Sequence, residues 1–225
     1  GIEGEAVVLR AVDFGESDLI AHLLMPEVGR LTVIAKHARK SQKRFPGSLD
    51  LFNRLRVRVS RKRATGLGFL EQATLISAFL PLRGDPARYA LASYLIELLD
   101  RVAPEDGTQA DTRRIFDFAV AALETLVQVP VDLRMRLFLE LRALDAIGLR
   151  PGLVRCVRCG REPGSGEMGF HVAEGGLVCG AHGADGRTGV LPVHLGTLRA
   201  LEQSLAAEIH QLGRIQLSGE ALVEA

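Results

Sequence analysis

Three cysteines and one histidine carry the most specific chemistry in this chain. Cys156-Val157-Arg158-Cys159 is followed by Cys179-Gly180-Ala181-His182, the pattern C-x2-C-x19-C-x2-H. Two-residue spacing lets one tight turn present two donors to one ion, and two such turns supply the four ligands of tetrahedral zinc. Gly160 and Gly180 directly follow the second and third ligands and permit the tight backbone such turns need. The spacer carries Gly164, Gly166, Gly169, Gly175 and Gly176, so it reads as loop or hairpin rather than helix. Four protein ligands leave no open coordination position, so the expected cofactor is one structural zinc, with His171 as reserve ligand. The competing reading is three buried cysteines without metal. An odd number of cysteines argues against a disulfide framework and for a reduced, cytoplasmic setting.

Charge is the second chemical feature. Twenty-eight basic and 27 acidic residues leave a formal net charge of +1. Eleven basic residues nevertheless fall within 31–63, where Asp50 is the one acid. They are Lys36, Arg39, Lys40, Lys43, Arg44, Arg54, Arg56, Arg58, Arg61, Lys62 and Arg63, and they include all four lysines. A dense basic block inside a near-neutral chain is a local electrostatic footprint. The plain alternative is a solvated basic face. Phe45, Phe52 and Phe69 are the aromatics near the block; Phe45 is a candidate to stack on bases, Phe52 and Phe69 to fill a core.

Enzyme signatures are missing. The chain has no G-x-x-x-x-G-K-[ST], no H-E-x-x-H and no G-x-S-x-G. His22, His37, His194 and His210 stand alone, without a nucleophile at a suggestive spacing. The expectation is a protein that is not an enzyme.

These groups need elements to position them. Five β segments are expected in the first eighty residues: 5–11, 18–25, 29–36, 53–60 and 68–78. The fourth is cleanest. Leu55, Val57 and Val59 alternate with Arg54, Arg56 and Arg58, which puts three arginines on the solvent side of one sheet. Five short strands suit an OB-fold, whose open face commonly holds single-stranded nucleic acid. After Pro81 the period changes to helical. Asp85-Pro86 reads as a cap followed by a first-turn proline, and apolar stripes imply helices over 86–103, 111–127 and 130–147, packed as a bundle. The expected fold class is α+β and multidomain: an N-terminal OB-fold β-barrel, then a helical bundle with an inserted zinc-binding knuckle. The expected parts are a nucleic-acid-binding barrel over 1–80, a helical domain over 81–150, the zinc insertion over 151–188 and a C-terminal helical part over 189–225.

Composition is that of a folded soluble protein, 47% hydrophobic and 24% charged. No apolar run reaches the ~18 residues of a membrane span, and the start lacks a secretory signal, so no membrane partner is expected. The absence of an initiator Met points to N-terminal trimming. Ser218 to Ala225 reads as a capped helix cut short, pointing to a truncated end.

In this order of parts the chain resembles the RecO family of bacterial recombination mediators. The resemblance is carried by Glu5-Ala6-Val7-Val8-Leu9-Arg10, by Gly15-Glu16-Ser17-Asp18, by Gly29 to Arg39, by the helix from Tyr89 to Leu99, and by the cysteine pattern. It implies a non-enzymatic factor for recombinational repair. Such a factor binds ssDNA and dsDNA through its OB-fold, anneals complementary strands, and works with RecR and SSB to help load the recombinase RecA, in the cytoplasm at the nucleoid. Lys36, Arg39, Lys40 and Arg44 sit in the family's matching strand-and-loop segment. Many zinc-bearing relatives have a fourth cysteine where this chain has His182. The other function classes are a protein-interaction adaptor working through the helices, and an RNA-binding OB-fold factor.

Overall fold

The computed structural model describes residues 1–41, 44–45, 47–61, 66–105, 107–164, 168–183 and 189–219. The chain separates into two compact units, Gly1–Val129 and Pro130–Ala225.

The first unit is built on five strands: β1 (Ile2–Phe14), β2 (Asp18–Met25), β3 (Gly29–Ala35), β4 (Arg54–Ser60) and β5 (Gly68–Ser77). They close into a barrel in the order β1-β2-β3-β5-β4, with β3 and β5 parallel and the other neighbours antiparallel. The parallel seam that closes the barrel is short, Val33 and Ile34 of β3 against Gly68 and Phe69 of β5. Inward-facing Ala6, Val8, Leu23, Leu31, Val33, Leu55, Val57 and Val59 fill the interior. The alternation in β4 is as expected: Leu55, Val57 and Val59 are buried, while Arg56 and Arg58 are exposed. Strands β1 and β2 do not alternate there. Val7, Leu9 and Leu24, on the outer face, are also buried. A continuous apolar run is what a strand covered on both sides requires.

The cover is helical. A single turn, α1 (Leu80–Arg83), leads into α2 (Pro86–Val102) and α3 (Gln109–Gln128), and both long helices contact β1. Asp85 caps α2, accepting from the N–H groups of Ala87 and Arg88 at 2.9 and 3.2 Å. Those N–H groups, Arg88's first, hold the Asp85 carboxyl below the usual range despite opposing desolvation. Thr108 caps α3 through the N–H of Asp111. Gly29 lets the β2–β3 turn press on the end of α2. Its φ is +76°, and a Cβ there would lie 2.3 Å from the Pro104 carbonyl.

A partly buried ionic group joins barrel and helix. His22 Nδ1 lies 2.6 Å from the Asp100 carboxylate, and the Arg30 guanidinium lies 3.6 Å from the same carboxylate while donating to the Asp100 carbonyl. Removing the carboxylate takes away the partner of His22 Nδ1 and one contact of Arg30, which keeps the Asp100 carbonyl and Glu105. Asp100→Ala is expected to cost about 2 kcal/mol, below the range for fully buried pairs because His22 and Arg30 still touch water. Urea unfolding of the variant beside the parent measures it.

In the second unit, α4 (Leu133–Ala146) starts from an Asp132 cap and packs on α6 (Leu195–Ala206). The third helix of the expected bundle therefore groups with α6, since its fully buried Phe138 belongs to this unit's core. Arg142 gathers the carbonyls of Ser204, Leu205 and Ala207, the unpaired C-terminal acceptors of α6. Between these helices in the chain lie β6 (Met168–His171), β7 (Gly176–Cys179), the turn α5 (Gly180–Gly183) and β8 (Val190–Pro192), with sheet order β7-β6-β8. Among the described residues no helix is long and apolar enough to cross a membrane.

Candidate metal centre and nucleic-acid interface

The two halves of the cysteine motif meet in the second unit. Cys156 and Cys159 sit on a turn closed by Gly160 N–H donating to the Cys156 carbonyl at 2.8 Å. Gly160 has φ +73°, the left-handed conformation expected there; Gly180 has no such φ and instead opens α5. Cys179 ends β7, and the helical turn α5 brings His182 back onto it, three residues on.

The four donor atoms lie within 4.8 Å of one another. Cys159 and Cys179 sulfurs are 3.7 Å apart, and His182 Nδ1 is 3.6 Å from Cys156 Sγ and 3.3 Å from Cys179 Sγ. A tetrahedron with Zn–S near 2.3 Å and Zn–N near 2.0 Å has S–S edges of about 3.8 Å and S–N edges of about 3.5 Å. A sulfur separation of 3.7 Å is also far beyond a disulfide bond. This donor set could hold a metal ion. His171, the reserve ligand, is instead occupied at Nδ1 by the N–H of Glu174.

The electrostatics favour a thiolate. Burial pushes the Cys156 thiol up, but the N–H groups of Cys179, Cys159 and Arg158, together with the His182 ring, outweigh it and bring the thiol down to about 6. Cys159 is moved the other way. The Arg161 N–H lowers it, but desolvation and the sulfurs of Cys156 and Cys179 raise it. Like charges this close resist ionising together, which is the repulsion a cation relieves. Arg158, inside the first knuckle, makes a forked contact to Glu174 and donates to the His182 carbonyl at 2.7 Å. That arginine ties both knuckles and the β6–β7 turn together, in the way outer groups orient metal ligands. Its hydrogen bond to Glu174 is the main cause that holds the carboxyl low.

The basic residues separate into two groups on the barrel. Lys36, Arg39 and Lys40 are exposed where β3 runs into a 3₁₀ turn at Ala38–Lys40, and Arg44 is exposed just beyond. Lys36 lies over the Phe69 ring at 5.7 Å, and Arg44 lies over Phe45 while donating to the Lys36 carbonyl. Arg39 and Lys40 line a groove of about 800 Å³ together with Ser41, Phe45 and Asp50 among others; Lys36 and Arg44 are not part of its lining. Phe45 is not available to stack on a base: only 3% of it is exposed, because it closes the barrel core.

The β4 arginines behave differently. Arg54 is held by Glu5 at 2.6 Å and approached by Glu124, Arg58 is paired with Glu3, and Arg56 lies 4.0 Å from Glu5. In register, Glu3 stands opposite Arg58 and Glu5 opposite Arg56. These arginines do face solvent, as the alternation requires, but next to carboxylates that cancel much of their charge. Glu3 and Glu5 were missed as partners, although their own spacing of two carried the signal. Arg61 is half-buried; Lys43, Lys62 and Arg63 lie outside the described residues.

Two family models cover nearly the whole chain: Recombination protein O N terminal over residues 2–79, and Recombination protein O C terminal over residues 83–225. The chain belongs to the RecO family. Curated relatives called DNA repair protein RecO agree over most of its length. The protein of Anaeromyxobacter dehalogenans strain 2CP-C is 39% identical over 195 residues, 87% of this chain and 75% of its own. That of Myxococcus xanthus is 36% identical over 89% of this chain and 81% of its own. That of Syntrophus aciditrophicus is 32% identical over 98% and 85%. The boundary between the two RecO models, at 79–83, falls at the entry to the helices that cover the barrel.

Proposed function

We propose that this chain acts, without catalysis, in recombinational DNA repair. It binds ssDNA and dsDNA on its barrel, anneals complementary strands, and works with RecR and SSB to help load RecA on SSB-coated DNA, in the cytoplasm at the nucleoid. The observation that carries the reading is a closed five-stranded barrel with Lys36, Arg39, Lys40 and Arg44 exposed on one segment, Arg39 and Lys40 lining a groove. Phosphates supply affinity there by releasing counterions, and a strand held by its backbone keeps its bases free to pair. Arg56, Arg58 and Arg61 add charge on the barrel, and Lys43, Lys62 and Arg63, outside the described residues, are assigned to DNA by their charge alone, while Arg54 mainly pins β4 to β1. One structural zinc held by Cys156, Cys159, Cys179 and His182 keeps the segment between α4 and α6 folded; all four positions are protein ligands, so none is left for a substrate.

The test is fluorescence anisotropy with labelled ssDNA and duplex from 50 to 300 mM salt, followed by strand annealing. Affinity is expected to fall along a straight line of log Kd against log salt, with a slope of about 3 for the four phosphate contacts of a single strand. Complementary strands are expected to pair faster with the protein than without it. A salt-independent affinity, or annealing no faster than for free strands, contradicts the assignment.

A further inference from the structure

Phe14 stands out among the nine phenylalanines: it is the only one in the exposed class. Half of its surface is open to water, at the end of β1, and Val12 on the same outward face is 39% exposed. An exposed aromatic ring at a strand end offers a π-face to a ligand.

Its surroundings are fixed rather than loose. The β1–β2 turn is bound to the basic segment by several contacts. The Arg39 N–H donates to the Ser17 carbonyl at 3.1 Å, and the His37 N–H donates to Asp18 Oδ1 at 2.8 Å. Ser17 Oγ lies 3.1 Å from His37 Nδ1, and the Arg39 guanidinium is 3.5 Å from the Asp13 carboxylate. Asp13 is Phe14's chain neighbour, and Asp18 is its partner across the ladder. The turn that follows Phe14 is therefore tied to the segment that carries Lys36, Arg39 and Lys40.

We propose that Phe14 is a stacking platform for an unpaired base of single-stranded DNA. This deepens, and rests on, the reading of the barrel as the DNA-binding element. The charge on the segment bound to this turn selects the occupant: a strand whose phosphates meet Lys36, Arg39 and Lys40 can extend a base to the ring at the end of β1. Stacking needs only a π-face, so it works with any base. In a duplex the bases are stacked on each other and cannot reach the ring. Phe14 thus separates single from double strands, while the cations bind both.

The experiment uses the full chain and three probes of equal length: a single strand, its duplex, and a strand with an abasic tract. Phe14→Ala is expected to weaken binding to the single strand about tenfold, with the salt slope unchanged because no phosphate contact is lost. Affinity for the duplex and for the abasic strand stays at the parent value, and Phe14→Tyr restores single-strand binding. Parent-like affinity of Phe14→Ala for the single strand overturns the proposal and makes the ring a protein contact. So does an equal loss on all three probes. If the parent itself does not bind single strands, the DNA reading fails and this proposal with it, an outcome distinct from loss confined to the variant.

Discussion

Replacing Cys156 and Cys159 with serine is expected to take bound zinc from about one per chain to none and to unfold the segment between α4 and α6. The three strands there have 4, 4 and 3 residues, too few to stand as a sheet alone. Their buried cluster consists of Cys156, Cys179 and Val178, flanked by Met168 and Val190. A core this small does not offset the chain entropy of ordering the knuckles, so the ion must supply the difference. Structural zinc in comparable small modules contributes on the order of 10 kcal/mol at neutral pH. Metal analysis reads the stoichiometry, and hydrogen exchange locates the loss, with amides of Leu177 and Val178 deprotected while those of α4 near Phe138 stay slow. Chelation should reproduce the result in the unmodified chain. Acid acts in the same direction. The folded Cys156 thiol titrates near 6, below its ordinary value, so the stability it contributes is complete above that ordinary value and is lost as pH falls through about 6. Retention of metal by the double variant would exclude the four-ligand site.

Reversing Lys36, Arg39 and Lys40 to Glu should weaken single-strand binding about a hundredfold near 0.1 M salt and lower the salt slope by about 2, the share of three phosphate contacts. Arg58→Gln should cost less than threefold, because Glu3 already neutralises the arginine it removes. The opposite change is the sharper contrast: Glu3→Gln with Glu5→Gln uncovers Arg58, Arg56 and Arg54 and should raise affinity. Anisotropy titrations of the three variants at two salt concentrations decide the matter. Equal losses from the Lys36 group and from Arg58 would mean that the carboxylates of β1 yield to phosphate.

How much of this was readable in the chain follows from the range of each interaction. Strand periods and helix caps are local, so β2, β3 and β4 lie within a residue of expectation, and Asp85 and Pro86 mark the start of α2. The four clustered donors were legible for the same reason: each knuckle is a pair of residues three apart, and only the meeting of the two pairs is long-range. What stayed hidden depended on neighbours distant in sequence. Phe45 looked free within a polar loop, yet the barrel end receives it. Phe14 lay outside the basic window, yet Ser17 and Asp18 bind the turn after it to that window through Arg39 and His37. The charge count was correct but incomplete: it recorded eleven cations without recording that β1 places Glu3 and Glu5 across from two of them.

The outward burial of Val7, Leu9 and Leu24 bears on how this protein can be cut. A fragment ended at residue 80, where one family model gives way to the next, keeps all five strands but sheds α2 and α3. It would present that apolar stripe and the broken His22–Asp100 contact to solvent, the sort of surface that drives inclusion bodies. A cut after Val129 leaves the stripe clothed. The minimal piece to express, crystallise or fuse to a reporter is the barrel with its two helices, some fifty residues longer than the fold's name implies.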